Sequence, residues 1–306
     1  MTNQTGRVPL TVLIPTYNEE RNLPDCLASV TWADEIFVVD SFSSDRTVAI
    51  ATAAGARVVQ HIYINSANQK NWTLPQCKHR WVLIVDADER VDPDLAQEIK
   101  ALLAAGEPPS PAYEIRRRTY AFGHEIRRCG LQDDRVTRLF DRTRCRYPEL
   151  EVHADLLVEG ERSQLRGRMA HLTYHTLDDY FEKFRRYTTW SANDRWKRGD
   201  RAGWWMLMTK PLARFISMYV FRRGFLDGVP GLIYCGLGAI SVMVRCMKLW
   251  AMQDCVARDA RWSEGRRIIH GGAVVLEEQE VIAGGRRGAQ AAVVVDEKST
   301  GSSPKS

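Results

Sequence analysis

The chain turns on nine residues, Trp81-Val-Leu-Ile-Val85 followed by Asp86-Ala87-Asp88-Glu89. Five apolar residues bounded by polar ones read as a strand buried on both faces. The carboxylates begin where the apolar run stops, so they sit at the carboxyl end of that strand, where open α/β sheets bind their ligands. Two carboxylates one residue apart on a turn suit Mg²⁺ or Mn²⁺, ions that keep several waters and take further oxygens from a diphosphate. Asp86 and Asp88 are therefore candidate metal ligands. The competing reading is an acidic, solvated turn leading into a helix, with Asp92 at the N-cap and Pro93 at the first helical position.

The preceding residues repeat the pattern. Residues 10–14, 35–39 and 56–59 read as strands, and residues 20–30 and 45–54 as helices, with Asp45 as a cap and Gly55 as a stop. Strand and helix alternate four times, which predicts an α/β fold: a Rossmann-like, mostly parallel sheet with helices on both faces. The first, second and fourth strands end in loops carrying Glu19, Asp40 and Asp86/Asp88. Three such loops meet at one sheet edge, where an acid can accept hydrogen bonds from a base or ribose, and Lys70 could pair with a phosphate. Taken singly, Asn18 and Asp40 also suit turns, and Lys70 a solvated surface.

In this order and spacing, Pro15-Thr16-Tyr17-Asn18-Glu19, Val38-Val39-Asp40-Ser41 with Ser43-x-Asp45-Arg46-Thr47, Gln69-Lys70-Asn71 and Asp86-Ala87-Asp88-Glu89 resemble a family 2 glycosyltransferase of the GT-A fold. The narrower resemblance is to the lipopolysaccharide core β-1,4-glucosyltransferase branch. Arg138-Leu139-Phe140, Val152-His153, His171-x-Thr173-Tyr174, Asp179-Tyr180 with Arg186-Tyr187-Thr188, and Gly224-Phe225-Leu226-Asp227-Gly228 agree with it. The likeness covers residues 9–250. It implies that Pro15, Thr16, Asn18, Glu19, Asp40 and Asp45 line a nucleotide-sugar pocket and that Asp86 and Asp88 face the diphosphate and its metal. It also implies that Asp134 is the base on the acceptor hydroxyl, with Asp133 its competitor. Phe42 stands where many relatives have Gly, and Ala154 where many have Glu.

The chemistry supports a carboxylate base independently. Inverting transfer needs an acceptor oxygen that loses its proton as the new bond to the sugar forms, and a carboxylate within hydrogen-bond reach can take it. The histidines form no H-E-x-x-H pattern, so His153, His171 and His175 read as ordinary buried or surface residues. Ala192 stands where processive synthases of this fold carry Gln before Arg195-Trp196, which favours transfer of one sugar. The leading reading is an inverting hexosyltransferase that moves one sugar, glucose first, from a UDP-sugar to a lipid-linked saccharide. Three alternatives remain: a polyprenyl-phosphate acceptor, nucleotidyl transfer, and a non-catalytic nucleotide-sugar or membrane-binding module.

Residues 161–250 carry 16 Lys/Arg against 7 Asp/Glu, which leaves the rest of the chain acidic. That basic surplus coincides with the segment richest in Trp, Tyr and Phe, and suits an anionic membrane face better than nucleic acid. Leu177, Tyr180, Phe181, Phe184, Tyr187 and Thr188 share one helical stripe, with Glu182, Lys183, Arg185 and Arg186 opposite. Residues 229–244 are uncharged but fall short of the ~20 a spanning helix needs. A buried, a spanning and an interfacial helix compete there, and the interfacial one fits the interleaved Arg and Lys. The expected domains are 8–175 (catalytic), 176–253 (helical, membrane-proximal) and 254–306, a mostly disordered tail with possible short strands at 274–276 and 291–295. Seven cysteines without a C-x-x-C, and no secretory leader, point to the cytoplasm and peripheral attachment to the inner membrane.

Overall fold

The computed structural model describes residues 6–148 and 156–269. In chain order its elements are β1 (Leu10–Thr16), α1 (Leu23–Ala28), β2 (Glu35–Asp40), α2 (Thr47–Ala53), β3 (Arg57–Gln60), α3 (Ser66–Thr73), β4 (Trp81–Ile84), β5 (Glu89–Val91) and α4 (Pro93–Ala104). There follow β6 (Ala112–Ala121), β7 (His124–Ile126), β8 (Arg135–Asp141), β9 (Cys145–Arg146), β10 (Leu157–Val158), β11 (Arg162–Tyr174), α5 (Leu177–Lys197), α6 (Trp204–Ile216) and α7 (Gly228–Ile269).

The main sheet runs β3-β2-β1-β4-β8-β6-β11-β5, with β7 on the edge of β6; β9 and β10 form a separate ribbon. Strands β3, β2, β1 and β4 are mutually parallel, the part expected from the alternating pattern. Beyond β4 the sheet is mixed, since β8 runs antiparallel to both β4 and β6, and β5 antiparallel to β11. Alternation along β1 divides the core. Leu10, Val12 and Ile14 pack on one face with residues of α1, α2 and α4, while Leu13 packs on the other with Val82, Ile84, Ala67 and Leu74. Helix α4 supplies its stripe through Leu95, Ile99 and Leu103, all fully buried. Asp92 does occupy its N-cap position, but its side chain makes no capping bond and pairs with Arg118 at 2.7 Å instead.

The chain divides into units Met1–Val256 and Ala257–Ser306. Helix α7 is continuous to Ile269, so the expected tail boundary at 254 falls inside a helix. The strands expected at 274–276 and 291–295 lie outside the described residues, as do His153 and Ala154. Helix α5 forms where its amphipathic pattern puts it and opens on a capping box between Thr176 and Asp179. Its stripe is only partly covered: Tyr180 and Thr188 are buried, whereas Leu177, Phe181 and Tyr187 are exposed. Residues Gly224–Cys255 are helical, long and apolar enough to cross a membrane, and 17% of the most apolar stretch is buried.

Candidate active site

The loops after β1 and β2 lock together. Asn18 adopts a left-handed conformation, φ 53°. Its amide NH donates to Ser43 Oγ at 2.8 Å and its Oδ1 accepts from the Ser44 NH at 2.8 Å. Phe42 is also left-handed, φ 60°, a conformation that strains a side chain with a Cβ and that glycine adopts freely. Asp40 is fully buried and accepts from the Ser43 hydroxyl, the Ser43 NH at 2.9 Å, Gln60 Nε2 at 2.9 Å and Thr16 Oγ1 at 3.3 Å. Its carboxylate thus holds the loop from beneath. Asp45 accepts from the Thr47 NH at 2.9 Å and the Glu20 NH at 3.0 Å. Burial would push its carboxyl up, but the bond from the Thr47 hydroxyl, together with these two, outweighs it and holds the group below the usual range. Pro15, half-buried, continues β1 opposite Val39.

At the tip of β4 the two acids face different partners. The Asp86 carboxylate is bonded by Arg138 of β8. Burial raises it, and Arg138 and Lys70 outweigh that to hold it ionised below the usual carboxylate range. Asp88 meets Lys183 Nζ of α5 at 3.1 Å and His171 Nε2 of β11 at 3.7 Å. Burial again pushes upward, and His171 and Lys183 hold Asp88 well below its ordinary value. Strand register explains His171: residue 171 pairs with Glu89 across β11 and β5, and the Leu172 NH donates to the Asp88 carbonyl at 2.8 Å. Glu19 lies near Asp88, and its carboxyl is raised, first by burial, against the hydrogen bond from Asn22 at 2.8 Å.

Glu89, fully buried, ties the turn to the antiparallel strands. It accepts from the Asp86 NH at 3.0 Å, from Arg138 Nη2 at 2.6 Å and from Arg117 Nη1 at 3.5 Å. Arg117 in turn makes a two-pronged pair with Asp134, Nε to Oδ2 at 3.0 Å and Nη2 to Oδ1 at 3.1 Å. A continuous run of charged contacts therefore links Asp134, Arg117, Glu89, Arg138 and Asp86. Asp133 stands apart: its side chain is 69% exposed and pairs with Arg135 at 2.8 Å and Arg116 at 3.1 Å. Lys70 opens on a cavity it shares with Asp86 and Arg138. Burial draws its ammonium pKa down, and Asp86 pulls it partly back.

His171, Lys183, Glu89, Arg117 and Arg138 enter the site without having been singled out for chemistry by the sequence. His171 read as an ordinary histidine and Lys183 as part of a solvated face. Among the described residues no group of three or more His, Cys, Asp or Glu side chains could hold a metal ion. One carboxylate and one imidazole, Asp88 and His171, do fit a Mg²⁺ or Mn²⁺ that draws its other ligands from a diphosphate and water.

A family model described as glycosyl transferase family 2 matches residues 11–144. The chain is 30% identical over 260 residues to the lipopolysaccharide core biosynthesis glycosyltransferase LpsC of Rhizobium meliloti (strain 1021), covering 82% of this chain and 96% of that protein. It is 26% identical to an uncharacterized glycosyltransferase of Rickettsia typhi, over 78% of this chain and 86% of that one. Among solved structures it is similar to S. aureus TarS at 18% identity and TM-score 0.42, over 74% of this chain and 48% of that one. It is also similar to glucosyl-3-phosphoglycerate synthase of Mycobacterium tuberculosis in complex with Mn²⁺, UDP and glucosyl-3-phosphoglycerate, at 20% identity and TM-score 0.39, over 58% and 76%. The family model over residues 11–144 and the 30% identity to LpsC over most of both chains define the class: the chain belongs to glycosyl transferase family 2. It is a glycosyltransferase related to an enzyme of lipopolysaccharide core biosynthesis.

Proposed function

We propose that this enzyme transfers a single sugar, glucose in the leading case, with inversion, from a UDP-sugar to a lipid-linked saccharide such as lipopolysaccharide core. The observation that carries this reading is the run of contacts from Asp134 to Asp86, because it ties a carboxylate able to act as base to the turn that would face the donor diphosphate. In this reading the loop residues Thr16, Asn18, Glu19 and Asp45 shape the nucleotide pocket, and Asp40 sets that loop from within. Arg117 orients Asp134 through its two-pronged pair, and each carboxylate oxygen retains a lone pair to accept the proton of the acceptor hydroxyl. Mg²⁺ or Mn²⁺ held by Asp88 and His171, with Asp86 alongside, would supply positive charge for the departing diphosphate. Lys183, beside the same carboxylate, adds a fixed cation to that region.

A lipid-borne acceptor is supported by α6. Trp204, Met208, Leu212 and Ile216 recur every four residues and are all exposed, with Lys210 and Arg214 on the same helix. Such a helix suits the plane of an anionic membrane face, which supports attachment to the inner membrane.

The test is product identity together with two isosteric variants. Incubation with UDP-glucose and core oligosaccharide is expected to release UDP; release of glucose 1-phosphate would point to nucleotidyl transfer, and an acid-labile lipid phosphodiester formed when polyprenyl phosphate is supplied instead would point to that acceptor. Asp134→Asn is expected to lower kcat by about 10²- to 10⁴-fold with the donor KM little changed. Wild-type turnover by both Asp134→Asn and Asp88→Asn would overturn the assignment.

A further inference from the structure

Beside Asp86 lies a cavity of about 330 Å³, the lower end of the size range for small-molecule sites. Its wall carries four cations, Lys70, Arg135, Arg138 and Arg162, against two carboxylates, Asp86 and Glu114. The cations are unequally matched. Arg138 is engaged by Asp86 and Glu89, yet its Nε is buried without a hydrogen-bond partner. Arg135 gives its Nε to the exposed Asp133. Arg162 bonds the Leu156 carbonyl and Thr137 Oγ1 and reaches Glu114 at 3.8 Å. Among the described residues Lys70 makes no ion pair; its ammonium lies 5.1 Å from the centroid of the Tyr147 ring.

Cations that line a cavity without full counter-charge draw anions, and guanidinium forks favour the planar or tetrahedral oxygens of carboxylate and phosphate. The lining comes from α3, the tip of β4, β6, β8, β11 and the residues around β9 and β10. None of it comes from the loops after β1 and β2, where the nucleotide would sit. The cavity therefore shares Asp86 with the acidic turn and no residue with the nucleotide loops.

We propose that this cavity binds an anionic substituent of the acceptor saccharide, a phosphate monoester or a carboxylate, and so selects acceptors that carry charge close to the hydroxyl being glycosylated. The proposal rests on the donor and acceptor reading above. It assigns Lys70 to the acceptor's anion in place of the donor's phosphate, and gives Arg162 and Arg135 a part in specificity.

The experiment uses the full chain, UDP-glucose and delipidated core oligosaccharide in three forms: untreated, phosphatase-treated, and with its carboxylates amidated. Wild-type kcat/KM is expected to fall about tenfold or more in whichever treated form loses the recognised group, which also identifies the anion as phosphate or carboxylate. Arg162→Gln is expected to show a similar loss on the untreated acceptor and no further loss on the treated one. The donor KM and the slow release of UDP without acceptor should not change. Arg135→Gln provides the same comparison in a second background. Equal use of all three acceptors by the wild type, or a raised donor KM in Arg162→Gln as its main effect, would overturn the proposal while leaving the transferase reading intact. No UDP release with any form would overturn both.

Discussion

Glu89 shows how much a single buried charge can organise. Its side chain has no exposed surface, and it pairs with Arg138, itself almost wholly buried, and with Arg117 at longer range. Removing one partner of such a pair leaves a charge in a low-dielectric interior, which costs about 3–5 kcal/mol, whereas neutralising both costs far less. Arg138→Gln is therefore expected to lose stability of that order in urea unfolding, and Arg138→Gln with Glu89→Gln to recover a large part of it. Asp141 gives a pH-dependent counterpart. Burial pushes its carboxyl up, but Arg80 and Thr143 outweigh that and hold it low. A group whose folded pKa is depressed stabilises the fold above the unfolded value of ~3.9, and the contribution disappears as pH falls through the folded value. The wild-type Tm should therefore drop between about pH 5 and pH 3, and Asp141→Asn should flatten that slope. Residues whose importance comes from standing at a strand end, such as Glu19, Asp40, Asp86 and Asp88, were legible in the sequence because the apolar run beside them marks the position. Asp40 was legible in place but not in role, since its four donors depend on how two loops fold against each other. His171, Lys183 and Arg117 reach the site from partners 28 to 95 residues away in sequence, and no local spacing announces them.

At the level of elements, the parallel half of the sheet could be read because its strands carry apolar runs that alternate with helical segments along the chain. The antiparallel half could not. β5 is three residues long, and the hairpins that return β6 and β8 to the sheet carry little periodic signal. The same pairing decides where β11 meets α4. A Cβ built at Gly167 would lie 2.5 Å from Leu95 Cα and 2.8 Å from its N, so strand and helix touch backbone to backbone with no space between them. Gly167→Ala is expected to force these elements apart and lower stability by about 1–3 kcal/mol. Thermal unfolding of the variant checks this, and its kcat near ambient temperature should stay close to wild type if the displacement remains local. Helix α5 was recognisable from its stripe, yet its polar face did not stay in solvent: Lys183 turns inward to Asp88 and to the Thr173 carbonyl at 3.2 Å. Amphipathic patterning assigns faces by average polarity and cannot tell a solvated lysine from one drawn to a buried acid.

For the whole molecule, the contrast is between a well-covered sheet and a helical region that keeps much of its apolar surface open. Trp204 is 72% exposed and Phe221 78%. If this surface rests on lipid, the enzyme should partition onto vesicles containing phosphatidylglycerol, less so at high salt and weakly onto neutral vesicles. Replacing Trp204, Met208 and Leu212 together with Ala should reduce that partition by at least about tenfold while leaving UDP release from soluble oligosaccharide unchanged. Full retention on vesicles by this triple variant would move the contact elsewhere. The salt bridge between Lys183 and Asp88 has a practical corollary for anyone tempted to trim the chain. A shortened protein ending near residue 176, designed for easy handling, would discard the ammonium group beside Asp88 along with the helices whose apolar side chains are exposed. Its inactivity would then report a missing countercharge, and Lys183→Met in the intact chain is the control that separates that cause from loss of the membrane.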